Sequence, residues 1–192
     1  VLNTARWGHV KASIHNGFLV LDASQEVPLR LTTEGREDFS FGRIDIRARL
    51  PDHQALRSVI RLGLATAGGP AQPAVSRLDI VSATGASNEV QGTVHWREQG
   101  GERYESALIS LPVGLFSDQF HVFSVVWTSA AIRWLVDGYE FLVFEAEQGN
   151  PPARFHLGIH LELLPNRPIS ASSSEAPSNI LAIDYIRVFQ SL

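Results

Sequence analysis

Cysteine is absent from the 192 residues. No disulfide framework staples the fold, so the core must hold it alone. That absence neither marks a secreted protein nor argues against one, and it is compatible with an oxidising compartment. Lysine is nearly absent as well. Of sixteen basic residues only Lys11 is lysine, a bias that the base composition of the gene accounts for without any function. No apolar run is long enough to cross a membrane, and no signal-peptide pattern opens the chain at Val1. The net charge of −4 gives no sign of a nucleic-acid partner. No window carries a sustained apolar stripe at helical spacing, and there is no internal repeat. Residues 1–192 therefore read as a single domain.

What is present is period-two patterning. Hydrophobic residues make 44% and charged residues 19% of the chain, an ordinary globular composition. In Ser40 to Leu50 the apolar Ile44, Ile46, Ala48 and Leu50 alternate with Arg43, Asp45, Arg47 and Arg49, one side buried and one wet. In Ala55 to Leu64, Arg57, Val59 and Arg61 face one way and Leu56, Ser58, Ile60 and Leu62 the other. Ser76 to Ser82 places Leu78 and Ile80 opposite Arg77 and Asp79. Further strands are read at Phe18 to Leu21, Leu29 to Thr33, Glu89 to Trp96, Tyr104 to Ser110, Phe120 to Trp127, Phe155 to Leu163 and Ile180 to Phe189. Phe120 to Trp127 is apolar on both faces and reads as fully buried. Asp137-Gly138 joins Ile132 to Val136 and Tyr139 to Phe144 in a hairpin, because both turn residues accept positive φ. His15-Asn16-Gly17 is a turn, residues 1–16 are otherwise mixed, and 165–179 is a long Ser/Pro-rich loop. About a dozen strands with short turns imply a two-sheet sandwich or jelly roll.

Five fragments in order resemble glycoside hydrolase family 16, the laminarinase-type enzymes. They are Asn16 to Leu21, Phe41 to Pro51, Gln91 to Trp96, Phe120 to Gly138 and Ile183 to Gln190. The resemblance implies an all-β, concanavalin-like β-jelly roll sandwich of two antiparallel sheets. It also implies a polysaccharide or glycan ligand and a secreted, periplasmic or cell-surface location. The family's catalytic strand carries Glu-x-Asp-x-x-Glu, with a bulge that keeps all three carboxyl groups in the sugar cleft. The matching positions here are Arg77, Asp79 and Ser82. A retaining glycosidase needs two carboxyl groups about 5–5.5 Å apart. Arginine cannot attack a sugar carbon, and serine cannot do the proton work of glutamic acid. The expected reading is a glycosidase fold without its reaction.

Other departures from the family also fall where a sugar would sit. The positions of two sugar-stacking tryptophans are Arg57 and Arg61, His160 stands for an Asn and Glu162 for a small Ala. Alternation sets Arg57, Arg61, Arg77, Asp79, His95, His160 and Glu162 on the concave face. Three guanidinium groups there suit carboxylate or sulfate oxygens, hence an acidic polysaccharide. The competing reading pairs Arg77 with Asp79 and the other arginines with Glu162 or Glu89, closing the cleft. Three further readings stay open. His95, His160, Glu162 and Asp79 could form a metal site. Asp79 could combine with Glu162 or Glu89 as a displaced catalytic pair. The sandwich could serve only as a protein-interaction module. The resemblance also implies a structural calcium on Asp184 and the Gly17 carbonyl, against a surface Asp with no ion. Trp127 and Trp134 read as core, and Trp7 and Trp96 as the better candidates for an exposed stacking ring.

Overall fold

The computed structural model describes residues 3–4, 12–23, 28–64, 75–98, 101–145, 154–165 and 179–190. The described strands are β1 (Asn3–Thr4), β2 (Ala12–His15), β3 (Phe18–Asp22), β4 (Leu29–Thr32), β5 (Gly42–Arg49), β6 (Leu56–Leu64), β7 (Val75–Thr84), β8 (Glu89–Glu98), β9 (Gly101–Ser110), β10 (His121–Trp127), β11 (Ala131–Val136), β12 (Tyr139–Glu145), β13 (Phe155–Leu163) and β14 (Ile180–Gln190). They form two seven-stranded sheets, ordered β1-β4-β13-β6-β7-β8-β9 and β12-β11-β10-β5-β14-β3-β2. Every described strand pair is antiparallel. The all-β jelly roll expected from the alternation is the fold observed. Trp7 and the segment 166–178 lie outside the described residues. No described helix is long and apolar enough to cross a membrane.

The alternating residues do what their spacing implies. Ile44, Ile46 and Ala48 of β5 are buried, while their neighbours Arg43, Asp45, Arg47 and Arg49 are half-buried on the other side. The inner faces supply one continuous core, with Leu21, Ile46, Leu56, Ile60, Leu62, Leu78 and Ile132 fully buried. Each such side chain contributes about 2 kcal/mol of transfer free energy. Asn16 (φ 50°) with Gly17 (φ 83°), and Asp137 (φ 50°) with Gly138 (φ 85°), turn the two tight hairpins, the left-handed pair that matches strand twist. Strand β2, absent from the sequence reading, pairs Ala12 to His15 with β3. Its side chains are mostly exposed, including Ile14, so it lacks the buried alternation that marks other strands. Strand β10 is also less sealed than expected, with Val122 and Val126 half-buried.

The two sheets are tied at one irregularity in β7. Ile60 of β6 pairs with Val81, but the next residue, Arg61, pairs with Asp79. On the other side Asp79 pairs with Thr93 and Ser82 with Gln91. One extra residue is therefore inserted between Asp79 and Ser82, a β-bulge. Ile80 and Val81 both turn into the core, and Ser82 returns to the face that holds Arg77 and Asp79. The Trp134 indole N–H, reaching across from β11, donates to the Asp79 carbonyl at 3.0 Å. Trp134 is fully buried, as expected of a core residue. Its ring passes over Gly92 of β8. A Cβ there would lie 2.8 Å from Trp134 Cδ1 and 3.0 Å from Phe141 Cζ.

Gly92→Ala forces two buried rings to move, so it should destabilise the fold by about 1–3 kcal/mol, the usual cost of overpacking. Urea unfolding should show a lower midpoint at unchanged slope. A change within about 0.5 kcal/mol, the ordinary range for a surface site, would mean the rings have room.

Candidate functional site on the concave face

The register of β13, β6, β7, β8 and β9 arranges the outer face of the first sheet in rows across the strands. One row runs Gly158, Arg61, Asp79, Thr93, Ser106, and the next His156, Gly63, Arg77, His95, Tyr104. On the other side lie His160, Val59, Ser82, Gln91 and Leu108, then Glu162 and Arg57. All seven residues expected on the concave face share it. The two glycines clear space for histidines. A Cβ at Gly63 would meet His156 Nε2 at 2.8 Å, and one at Gly158 would meet His160 Nε2 at 2.9 Å.

The pairing is partial. Arg77 Nε lies 3.2 Å from Asp79 Oδ1, yet the two are not aligned for a hydrogen bond, and both atoms are buried without one. Arg77 Nη2 lies 2.6 Å from His95 Nε2. The same nitrogen lies 3.4 Å from Asp79 Oδ2, so it stands between a guanidinium donor and a carboxylate acceptor. Burial and then the Arg77 charge lower the His95 pKa, while the Asp79 charge and hydrogen bond oppose them. Arg61 Nη2 is 3.7 Å from Glu162 Oε1. Arg57 does not follow the expected pairing with a carboxylate. Its Nε and Nη2 both donate to Ser82 Oγ, at 3.1 and 2.7 Å. Glu89 instead accepts from the Ser110 hydroxyl at 3.0 Å. His160 is pushed down to about 3 by burial, then by Arg61 and Arg30. It is neutral at ordinary pH.

The displaced carboxylate pairs do not assemble. Glu162 and Asp79 are two strands apart and four residues offset along β6, about 16 Å between Cα atoms at ordinary sheet spacings. Asp79 and Glu89 are adjacent-strand neighbours offset by four residues, about 14 Å. Neither glutamate is turned to Asp79: Glu162 lies by Arg61 and Glu89 accepts from the Ser110 hydroxyl, whereas a glycosidase needs its two carboxyl groups across one cleft. The His95, His160, Glu162, Asp79 metal reading fails on distance. His160 is on β13 and His95 on β8, three strands apart, about 14 Å, too far to share one ion. Among the described residues no group of three or more His, Asp or Glu is placed to hold a metal.

Asp184 is the bulged residue of β14, between Ile183 opposite Ala48 and Tyr185 opposite Arg47. Ile183 also faces Leu19 of β3, which brings Asp184 close to the Gly17 turn. A carboxylate and a carbonyl are the oxygens calcium takes. However, Arg47 Nη1 donates to Asp184 Oδ2 at 2.5 Å, and the Arg47 guanidinium stacks over Phe120 at 4.8 Å. So arranged, the residues do not fit a dication, because a fixed cation already holds the carboxylate.

Two stacked, antiparallel seven-stranded sheets with a polar concave face define the concanavalin-like jelly rolls, which house both glycosidases and lectins. Within that class the chain belongs to the glycosyl hydrolases family 16, whose model matches residues 3–175. It is 27% identical over 202 residues to the beta-glucanase of Rhodothermus marinus, covering 93% of this chain and 70% of that one. It is 23% identical to the clotting factor G alpha subunit of Tachypleus tridentatus, of which it spans 28%, with 93% of this chain covered. The laminarinase catalytic domain of Thermotoga maritima superposes with a TM-score of 0.72 at 25% identity, over 94% of this chain and 80% of that one.

One residue of the face escaped the sequence reading. Tyr104 is 70% exposed, its ring 6.0 Å from that of His95. The signal was its place opposite His95 once β8 and β9 are in register. Trp96, expected as an exposed platform, instead points inward and packs on Phe144 at 5.1 Å, because it shares the parity of buried Val94.

The His160 shift carries a pH dependence of definite sign. Its folded pKa of about 3 lies below the ordinary about 6.5. The unfolded chain therefore takes the proton first, and stability falls as pH drops from about 6.5 towards 3, by at most about 1.4 kcal/mol per unit. Removing the imidazole by His160→Gln should flatten the urea-derived stability profile between pH 7 and 5. Parallel profiles for the two proteins would contradict a buried, neutral His160.

Proposed function

We propose that this is a non-catalytic member of its family, which binds a glycan on the concave face of the first sheet. The observation that carries the reading is the bulged strand. Its geometry is of the kind that aims three side chains into one cleft, yet those side chains are Arg77, Asp79 and Ser82. Only Asp79 is a carboxylate, and the candidate partners Glu162 and Glu89 are engaged by Arg61 and Ser110 instead. In the same reading Arg47 serves Asp184 where a structural cation otherwise would.

The polar chemistry of the face supports a hydroxyl-rich ligand. Among the described residues, four of the eight buried side-chain atoms without a hydrogen-bond partner are here: Arg61 Nε, Arg77 Nε, Asp79 Oδ1 and His156 Nδ1. Unsatisfied buried polar atoms cost about 1–3 kcal/mol each, a cost that hydrogen bonds to a ligand or to water would relieve. Donors and acceptors lie side by side, which suits sugar hydroxyls, since each both gives and takes a hydrogen bond. The names of its relatives, a beta-glucanase and a laminarinase, make a β-glucan-type polysaccharide the natural first probe. The location of such a domain in a secreted or surface protein is part of the same proposal.

Titration with soluble β-glucan oligosaccharides tests it. Arg61→Ala on the concave face should weaken binding about tenfold, the scale of one charge-assisted hydrogen bond. Arg133→Ala on exposed β11 should leave it unchanged. Equal loss from both substitutions, or no binding by the unaltered protein, would refute the reading and favour a protein partner.

A further inference from the structure

Arg57 is a cation of the concave face held by a hydroxyl rather than by a carboxylate. Arg30 pairs with Glu34, Arg61 with Glu162 and Arg77 with Asp79. Arg57 has no carboxylate partner among the described residues, although Glu162 is its register neighbour. It is exposed, but it is not loose. Ser82, itself only 8% exposed, accepts from both Nε and Nη2 and fixes the plane of the guanidinium. No described residue takes the remaining donors, on Nη1 and the second Nη2 hydrogen. A charged fork held rigid by a neutral hydroxyl is preorganised for an anion, because little rotamer freedom is left to lose.

The second feature is the Tyr104 ring, 70% exposed at the opposite corner of the face. A tyrosine this exposed on a sheet face offers an apolar plane with a polar tip. It is tilted by 36° against the His95 ring, with centroids 6.0 Å apart, so the plane is braced from one side. Along β6 its row is six residues from Arg57, and it is three strands across. That makes about 24 Å at ordinary sheet spacings. No monosaccharide reaches both.

We propose that the ligand is an acidic oligosaccharide or polysaccharide, one carboxylate or sulfate group seated on Arg57 over Ser82 and a sugar ring several units away stacked on Tyr104. The inference rests on the glycan-binding reading above and specifies its substrate class. Anionic character is favoured by charge. The Arg57 guanidinium is held only by the neutral Ser82 hydroxyl, while Glu162 lies with Arg61 and Glu89 accepts from Ser110, so the guanidinium charge has no counter-ion among the described residues.

The test is titration with laminarin, carboxymethylated laminarin and sulfated laminarin of matched length, at about 50 mM and about 500 mM salt. The acidic forms should bind about tenfold more tightly at low salt, with the advantage shrinking as the screening length falls. Whichever derivative wins separates a carboxylate from a sulfate seat. Arg57→Gln should abolish the preference, bringing the acidic chains to the affinity of the neutral one. Ser82→Ala, which keeps the charge but frees the fork, should reduce it. Tyr104→Ala should weaken acidic and neutral chains alike. Near-ultraviolet circular dichroism checks that each variant keeps its packing. Equal binding of neutral and acidic chains overturns this inference and leaves the glycan reading standing, as does a preference that survives Arg57→Gln. Binding to none of the three overturns both.

Discussion

The concave face depends on a single hydrogen bond between the sheets. Trp134 on β11 donates to the carbonyl of Asp79, at the bulge where β7 has one residue more than its neighbours. A bulge leaves a backbone group outside the ladder, and an unpaired buried carbonyl is costly. The indole N–H satisfies it, and Gly92 gives the ring room to pass. The bulge turns both Ile80 and Val81 into the core, and so restores Ser82 to the side of Arg77 and Asp79. Without it, period two would bury Ser82 and leave Arg57 without its hydroxyl partner.

Everything on the face follows from that register. Arg77, Asp79 and His95 become a compact cluster in two adjacent rows. Ser82 becomes a clamp for Arg57. The same register keeps Glu162 and Glu89 away from Asp79, so a family scaffold that can assemble carboxylates presents guanidinium groups instead. Cations on this side are held at intermediate cost. Burial lowers the Arg61 pKa, and the Asp79 charge opposes that shift, so desolvation is offset by neighbours rather than by water.

The sandwich and most of its strands were legible because alternation is a direct record of which side is buried. Asp137-Gly138 and Asn16-Gly17 were legible because their φ values need those residues. The seven face residues followed from parity alone. What parity could not give was partnership. Arg57 reaches Ser82 rather than Glu162, a choice made by side-chain direction and strand twist. Tyr104 was invisible because β9 is an edge strand whose first five residues are all exposed, so nothing in its own pattern says which way it faces. Trp96 misled for the opposite reason. A tryptophan near a strand end reads as exposed, whereas its row faces the second sheet and Phe144. Arg47 on Asp184 joins residues 137 apart in the chain, and no local pattern encodes such a pair.

The central claim is that the fold of a glycosidase persists here without a pair of carboxyl groups to run the reaction. Release of reducing ends from laminarin, measured over a long incubation beside an Asp79→Asn variant, tests it most directly. The account predicts that both proteins stay at the level of buffer alone. Sugar release by the unaltered chain that vanishes in Asp79→Asn would contradict it, because a working carboxylate would then need a partner that this register does not supply.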